Sequence, residues 1–310
     1  MIETQSEDAS QAMIETHRED ASHYEDETQN ERANPKRRSQ MNIPEGVIEH
    51  LNYMARTYDG FNKMLTEMKN RLHALNKDAR PKDQEEIDGL EKIKSALSRR
   101  ISKELEYWPI WTEWLVNVPG VGPAIGANLI LLYYYRFAPA CPVCGTVVEK
   151  TEGTFFCPAC EKSVKGDGVA YQIQERDFPN VSKWWAFMGR KIEDGKMTKR
   201  AKGKAQTWSS KGRLVGYQVG DQFNRRKDSD YGRFLLERKA HREKTHPDAT
   251  KGHRLNMARN EAVKLFLSHF WHVARTLDGK STAGPYAEVV MGHTGIIPPF
   301  YWDDWKREAA

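Results

Sequence analysis

The sequence has no long apolar run and few cysteines. No stretch of its 310 residues approaches the ~18–20 consecutive apolar residues of a membrane-spanning helix. Its N-terminus is acidic and polar, unlike a secretory signal peptide. Without such a signal, the 4 cysteines give no reason to expect an oxidising compartment. We therefore expect a cytoplasmic protein with no membrane partner.

Basic residues are scarce at the N-terminus and abundant in the second half. Residues 1–33 contain only Arg18 and Arg32 as bases, whereas bases far outnumber acids over residues 183–259. The net charge of +5 hides this asymmetry. An acidic tail beside a basic half indicates an anionic partner such as nucleic acid, although a solvated helical surface explains part of the excess.

Residues 1–40 contain almost no large apolar side chains, so we expect a disordered acidic tail. Within it, residues 1–10 are echoed by residues 13–22. This is a short duplication rather than a solenoid repeat, which has a period of ~20–50 residues. Met41 is a second candidate start residue.

Residues 41–112 predict a helical unit. Apolar residues recur at three- and four-residue steps over residues 47–72, and again at heptad-like spacing over residues 87–108, as on amphipathic helices. The segment 76–82, with Pro81, interrupts the pattern. An antiparallel helical hairpin and an intermolecular coiled coil both fit. The second arrangement would make the protein a homo-oligomer.

The segment 118–123, with the sequence Val-Pro-Gly-Val-Gly-Pro, predicts a tight turn within a unit of residues 113–140. Both glycines are expected to take positive φ, and Pro123 suits the first turn of the next helix. With helical spacing on both sides, this is a candidate helix-hairpin-helix motif, whose backbone N–H groups face a DNA phosphate. The alternative is a simple turn between packed helices. The predicted DNA-contacting residues are Pro119, Gly120, Val121 and Gly122.

All cysteines lie in two C-x-x-C pairs within residues 141–170, namely Cys141, Cys144, Cys157 and Cys160. Their twelve-residue spacer fits a short β-hairpin, and four thiolates suit a structural Zn²⁺ in a zinc ribbon. Two disulfide bonds are the alternative.

Residues 171–280 predict a helical domain interrupted by a basic loop at 190–212. Its clearest helix is predicted over residues 253–277, and residues 281–310 are expected to dock as an irregular tail. A glycine-interrupted loop has no packing reason to be so basic, so we expect it to contact phosphates. The predicted contacts in this loop are Arg190, Lys191, Lys199, Arg200, Lys202 and Lys204.

The order of these features resembles the C-terminal transposase domain of the IS116/IS110/IS902 insertion-sequence family. In that family a coiled-coil region leads into a Pro-Gly-x-Gly-Pro hairpin, an Arg-Phe-Pro-Ser segment with a hydrophobic helix, a basic loop ending in Ser-Lys-x-Gly, and two helices. The matching segments are 118–123, 176–189, 190–212 and 256–277, and the resemblance covers roughly residues 85–280.

The resemblance implies a mainly α fold: a helical hairpin or coiled coil plus a helix-hairpin-helix transposase domain. The small β zinc ribbon would be an insertion into this fold. It implies DNA transposition through a serine that forms a phosphoserine–DNA intermediate. That serine is Ser209, or Ser210 in the alternative alignment. The implied cations are Lys211, Arg213 and Arg200. From the residues alone, a helix-capping role for Ser209 is favoured over catalysis.

Besides the inserted ribbon, the chain departs from the family in its N-terminal region. Residues 1–110 lack the apolar β-runs of the family's RuvC-like domain, which holds acidic metal ligands. Either a separate RuvC-like polypeptide supplies that site, or the chain is a non-catalytic DNA- or RNA-binding regulatory remnant. A third reading is a partner in a guide-RNA complex, in which Trp184, Trp185 and Trp208 stack on unpaired bases; core burial of the first two is the alternative. We expect a prokaryotic or viral origin.

Overall fold

The computed structural model describes residues 43–75, 81–151, 154–193, 196–200, 202–203, 206–282 and 297–302. The predicted acidic tail, Lys204 and most of the segment 281–310 lie outside these ranges. The described part of the chain is mainly helical, as predicted, with short antiparallel strands.

Two long helices form the first unit of the structure. They are α1 (Val47–Leu75) and α2 (Pro81–Glu104). The helices are antiparallel, because His50 Nδ1 lies 3.1 Å from Glu104 Oε1 and Lys94 Nζ donates to Asn62 Oδ1 at 3.1 Å. Pro81 occupies the first position of α2, where the backbone has no helical acceptor to lose. The helical hairpin within one chain is therefore present, whereas association of two chains through it stays a prediction.

A distorted helical arm connects α2 to the glycine turn. It consists of a 3-10 turn (Leu105–Tyr107), a π turn (Ile110–Trp114) and a second 3-10 turn (Leu115–Asn117). Helix α3 (Pro123–Tyr134) follows the turn. Trp111 of the arm packs directly on Gly126 of α3, since a Cβ at Gly126 would lie 2.5 Å from Trp111 Cζ3. The two helical segments on either side of the turn therefore pack closely against each other.

The prediction that both turn glycines take positive φ is wrong for Gly122. Gly120 has φ +100°, whereas Gly122 has φ −78° and ψ 174°. The turn is closed by a 3.0 Å bond from Val121 N to Val118 O, and Pro119 and Gly120 occupy the positions that a type II turn favours for these residues. Gly122 instead precedes α3 in the extended conformation of an N-cap residue.

A two-stranded stem carries the cysteine-rich segment away from the helices. Strand β1 (Tyr135–Ala140) leaves α3 directly and pairs antiparallel with β5 (Ala170–Glu175), which places Phe137 opposite Ile173. Between them, β2, β3 and β4 form a three-stranded antiparallel sheet. Their bounds are Glu149–Thr151, Thr154–Cys157 and Lys162–Val164. The predicted hairpin between the cysteine pairs is β2–β3, while the stem and β4 were not anticipated.

Four helices complete the fold, and a polar side chain caps each one. They are α4 (Val181–Phe187), α5 (Ser210–Arg225), α6 (Asp230–Thr245) and α7 (Lys251–Leu277). Asn180, Ser209, Ser229 and Thr250 accept a bond from the backbone N–H three residues ahead, as N-cap residues do.

The basic loop ends earlier than predicted. Two short strands, β6 (Ile192–Glu193) and β7 (Lys196–Met197), pair within it. The loop was expected to extend through Gly212, but α5 begins at Ser210 because the Ser209 hydroxyl caps the N–H of Gly212.

Aromatic side chains form the centre of the core. Trp114, Tyr133 and Trp184 are fully buried, and the ring centroids of Tyr133 and Trp184 are 5.2 Å apart. Burial of Trp184 leaves no ring face for stacking on bases. Trp114 Nε1 donates to Phe300 O at 2.7 Å, so the predicted docking of the C-terminal segment is present for residues 297–302.

Candidate metal centre and nucleic-acid interface

Four cysteine sulfurs converge in the ribbon. Cys141 and Cys144 lie in the loop after β1, Cys157 ends β3, and Cys160 lies in the turn before β4. All four sulfurs lie within 4.8 Å of one another, with 3.5 Å between Cys144 and Cys157 and 4.0 Å between Cys141 and Cys160. Sulfurs about 2.3 Å from one tetrahedral ion are about 3.8 Å apart. The four cysteines are therefore positioned to bind a metal ion.

The alternative of two disulfide bonds is not realised. All four cysteines are free. The 3.5 Å separation of Cys144 and Cys157 is much longer than a disulfide bond of about 2.05 Å.

Hydrogen bonds favour the thiolate form on one side of the cysteine set. Thr146 Oγ1, 3.3 Å from Cys144 Sγ, lowers the pKa of the Cys144 thiol to about 6. The backbone N–H of Cys144 is the main cause of the lowered pKa of Cys141. The pKa of Cys160 is raised to about 12, chiefly through its hydrogen bond with Cys144. Four thiolates complete a tetrahedral shell and leave no position for a reacting water, which is the pattern of a structural site.

The glycine turn lies against the end of α5. A Cβ at Gly120 would lie 2.9 Å from Gln222 Cβ and 3.4 Å from Arg226 Cδ, so the last turn of α5 packs on the peptide backbone of this turn. Arg226 is exposed beside it. Among the predicted contacts, Gly122 is exposed, while Val121 is 4% exposed and supports the turn from inside. Pro119, like Gly120, is half-buried.

A groove of about 340 Å³ is lined by residues of α1 and α2 and by the first residue of α3. We call it the serine groove. It is lined by Tyr58, Lys94, Ser95, Ser98, Arg99, Ser102 and Pro123. Lys94 Nζ lies 5.5 Å from the Tyr58 ring centroid, and Arg99 is exposed. Two cations and three hydroxyls beside a helix N-terminus have the chemistry that binds phosphate.

The residues predicted to contact DNA from the basic loop are placed differently from one another. Lys191, Lys199, Arg200 and Lys202 are exposed, as a phosphate contact requires. Arg190 is 5% exposed, and its guanidinium donates to Asn260 Oδ1 and, at 3.4 Å, to Arg213 O. Burial is the main cause of the lowering of its pKa to about 10, with Arg213 and Arg259 adding to it. Arg190 therefore packs inside the fold, and Lys204 lies outside the described residues.

Of the two serines at the start of α5, one hydroxyl caps the helix and the other is accessible to solvent. Ser209 Oγ accepts the bond from Gly212 N at 3.0 Å, which is the capping role that the sequence left open. Ser210 is exposed, and its Oγ accepts from Gln206 Nε2 at 2.8 Å. Lys211 forms an ion pair with Asp59. Arg213 donates to Thr198 O at 3.0 Å and lies over the Trp208 ring.

Sequence reasoning missed four residues at these sites, namely Asp59, Lys94, Arg99 and Arg226. Three of them lie within helices and Arg226 directly follows one, positions where a charged residue is usually part of a solvated face. The one available signal was the row of serines at 95, 98 and 102, which recurs at helical spacing beside the two cations. It indicates a polar helix face, but not that the face meets the glycine turn.

The chain matches no family model, no curated protein and no solved structure. No helix in the described ranges is both long and apolar enough to cross a membrane.

Proposed function

We propose that the protein binds DNA, with the glycine turn and the start of α3 holding the phosphate backbone. The observation that carries this proposal is the set of cations near the turn and the start of α3. Lys94 and Arg99 line the serine groove together with Pro123, and Arg226 lies against Gly120.

The backbone of α3 supports the same conclusion. The first bond of this helix runs from Gly126 N to Gly122 O at 2.9 Å, so the N–H groups of Ala124 and Ile125 have no acceptor within the helix. Pro123 has no N–H to satisfy. Ala124 and Ile125 are partly exposed. A phosphate oxygen in front of the turn would accept from these N–H groups and gain from the helix dipole. In this sense the turn works as a helix-hairpin-helix motif.

The corresponding reaction is DNA strand transfer by a transposase- or recombinase-like protein, as the sequence resemblance implies. In the proposed step a serine oxygen attacks the phosphorus, a phosphoserine ester forms and the sugar oxygen leaves with a proton. Exposure favours Ser210 as the nucleophile over Ser209, because Ser210 is exposed and bonds only to the side chain of Gln206, whereas Ser209 is half-buried and caps the backbone of α5. Arg200, which is exposed, remains the accessible cation for the developing charge.

A non-catalytic DNA- or RNA-binding role is the second candidate, and specific contacts favour it. Lys211 pairs with Asp59, and Arg213 donates to a backbone carbonyl, so two of the implied catalytic cations already have partners. If the protein is catalytic, a separate RuvC-like polypeptide would supply the acidic metal ligands, and a guide RNA is a further proposed partner.

We further propose that the ion held by the four cysteines is Zn²⁺. Four thiolates at tetrahedral spacing are the ligand set of structural zinc ribbons, and the ribbon has few other contacts to hold its strands. Its small core consists of Cys141, Val148 and Cys157, with Cys160 and three more partly buried apolar residues around them.

The test of function is a search for DNA binding and for a covalent protein–DNA adduct with the zinc-loaded protein. Wild type, Ser209→Ala and Ser210→Ala would be mixed with nicked DNA from the flanks of the gene, with and without host lysate, and resolved under denaturing conditions. An adduct that only Ser210→Ala abolishes supports the catalytic proposal with Ser210 as nucleophile. Duplex binding with no adduct in either setting supports the non-catalytic role. Absence of salt-sensitive DNA binding would reject both.

A further inference from the structure

A second groove lies between α1 and the stem that carries the ribbon. It has a volume of about 490 Å³, within the range of about 300–1,000 Å³ of small-molecule sites. We call it the tyrosine groove. Helix α1 contributes Glu49, Asn52, Tyr53, Arg56 and Thr57, and the stem contributes Phe137, Tyr171 and Ile173. It shares no lining residue with the serine groove.

Two tyrosine rings in this groove are unusually accessible. Tyr53 and Tyr171 are each 62% exposed, one on the helix and one on strand β5. Beneath them, Phe137 and Ile173 face each other across the β1–β5 pair and are only partly buried. Because the helix and the stem do not close on each other, the groove offers aromatic surface from two sides.

The rim of the groove is polar and carries a cation. Arg56 is exposed, and within the described part of the chain it makes no ion pair or hydrogen bond. Asn52 adds an amide that both donates and accepts, and Glu49 adds an acceptor. Aromatic faces together with a cation and an amide match the parts of a nucleotide: a base that stacks, a base edge that forms hydrogen bonds and a phosphate.

We propose that the tyrosine groove binds an unpaired nucleotide of a nucleic acid strand, with its base against Tyr53 or Tyr171 and its phosphate beside Arg56. The inference rests on the proposed nucleic-acid binding and extends it to a strand that leaves the duplex. The single exposed cation favours a nucleotide over an acidic protein segment, because only one charge is available, whereas stacking needs none.

The test uses an oligodeoxythymidine of about ten nucleotides that carries one central 2-aminopurine, whose fluorescence falls when the base stacks on a ring. The titrated proteins are wild type, the Tyr53→Ala and Tyr171→Ala variants, and Tyr53→Phe and Tyr171→Phe, which keep the ring. Tyr107→Ala is the matched control, since Tyr107 is 42% exposed and lies outside the groove. Duplex binding by each protein is measured in parallel.

We expect wild type to quench the probe and at least one alanine variant to lose the quenching, with affinity for the single strand falling about five- to one-hundred-fold, the range of one base–aromatic stack. The phenylalanine variants and Tyr107→Ala should resemble wild type, and duplex affinity should not change. Equal quenching and affinity in wild type and both alanine variants would overturn the inference. So would loss of self-association in these variants, with single-strand binding intact, because the groove would then be a contact between chains.

The two proposals fail separately. Salt-sensitive duplex binding without tyrosine-dependent quenching leaves the turn as the binding site and removes the tyrosine groove. Tyrosine-dependent quenching without duplex binding keeps the groove and removes the proposed role of the turn.

Discussion

The carboxylate of Asp59, in the middle of α1, forms an ion pair with the ammonium group of Lys211 in the first turn of α5. The two residues are 152 positions apart in the chain. Asn128 of α3, which is 5% exposed, donates to the same carboxylate oxygen at 3.5 Å. The pair therefore connects three helices and engages a lysine that the transposase resemblance assigns to the reaction.

Removing this pair should have a small and non-additive effect on stability. The Lys211 and Asp59 side chains are 35% and 29% exposed, so solvent screens much of their attraction. We expect Lys211→Met and Asp59→Asn each to lower the free energy of unfolding by about 0.5–1 kcal/mol, and the double variant to lose less than the sum. Urea unfolding measures all three. A fall in DNA affinity for Lys211→Met at unchanged stability would show that Lys211 serves the ligand instead.

The contact between Trp111 and Gly126 makes a sharper prediction. A Cβ at Gly126 would lie 2.5 Å from the indole ring, so Gly126→Ala should destabilise the protein by about 1–3 kcal/mol through overpacking. Gly89→Ala is the control, because Gly89 also lies within a helix but has no atom within 4 Å of an added Cβ. There the alanine should stabilise by about 0.5–1 kcal/mol. Thermal unfolding of both variants compares them, and equal effects would contradict the packing.

Metal removal should unfold the ribbon and spare the helices. The purified chain should contain one zinc ion, and a chelator or Cys157→Ser should release it, because a ribbon with so small a core depends on the metal. Far-ultraviolet circular dichroism should change little, since the helices pack in a separate core. Metal analysis and proteolysis of residues 141–170 are the measurements. Pro142→Ser is the control, since it changes an exposed residue between two ligands. A chelator-treated ribbon that resists protease would contradict the prediction.

The buried His269 should make the protein sensitive to acid. Its Nδ1 lies 2.7 Å from the Tyr231 hydroxyl and its Nε2 lies 2.9 Å from the Ile297 carbonyl oxygen. Burial is the main cause that lowers the pKa of His269 to about 3. Below the ordinary histidine pKa of about 6.5, His269 binds a proton in the unfolded chain but not in the folded chain. The free energy of unfolding should therefore fall as pH drops from about 6.5 to about 3, by up to about 1.4 kcal/mol per pH unit.

His269→Gln tests that assignment, because glutamine can still donate and accept but does not titrate in this range. The variant should show a shallower loss of unfolding free energy between pH 6.5 and 4 than wild type. The exposed His253 gives the control, since His253→Gln should leave the slope unchanged. Identical slopes for wild type and His269→Gln would mean that His269 is not the group responsible.

The cations on both sides of the glycine turn should govern duplex binding. Arg99→Ala and Arg226→Ala should each weaken DNA binding about tenfold, or about 1.4 kcal/mol. Each should reduce the slope of log affinity against log salt by about 0.9. Arg71→Ala is the matched control, because Arg71 is an exposed arginine of α1 that lies thirteen residues, or about 20 Å, along the helix from Tyr58. Fluorescence anisotropy at several salt concentrations measures the slopes. Equal losses in all three variants would indicate diffuse charge rather than a site.

Short-range pattern predicted the elements well. The apolar spacing over residues 47–72 and 87–108 predicted two helices, and these are present as α1 and α2. The two C-x-x-C pairs met across a hairpin. Each of these features depends on residues a few positions apart, whose relative placement the backbone geometry of one helix or one turn already determines.

The sequence pattern did not predict which charged side chains are buried and which are exposed. Arg190 and its neighbour Lys191 have the same charge in the same loop, yet Arg190 is buried against Asn260 and Lys191 is exposed. Ser209 and Ser210 differ in the same way, one capping a helix and the other facing solvent. A run of bases or hydroxyls carries no periodic signal that distinguishes a surface side chain from a packed one.

The sequence by itself therefore determined the helices, the cysteine cluster and the sharp turn at Gly120. Only the tertiary structure decided that Arg226 lies against that turn, that Lys94 and Arg99 share a groove with Pro123, and that Asp59 engages Lys211. The physical reason is the range of the interactions. Periodicity and caps act over three or four residues, whereas these contacts join segments more than twenty residues apart in the chain. They form only once the packing of apolar helix faces has brought those segments together.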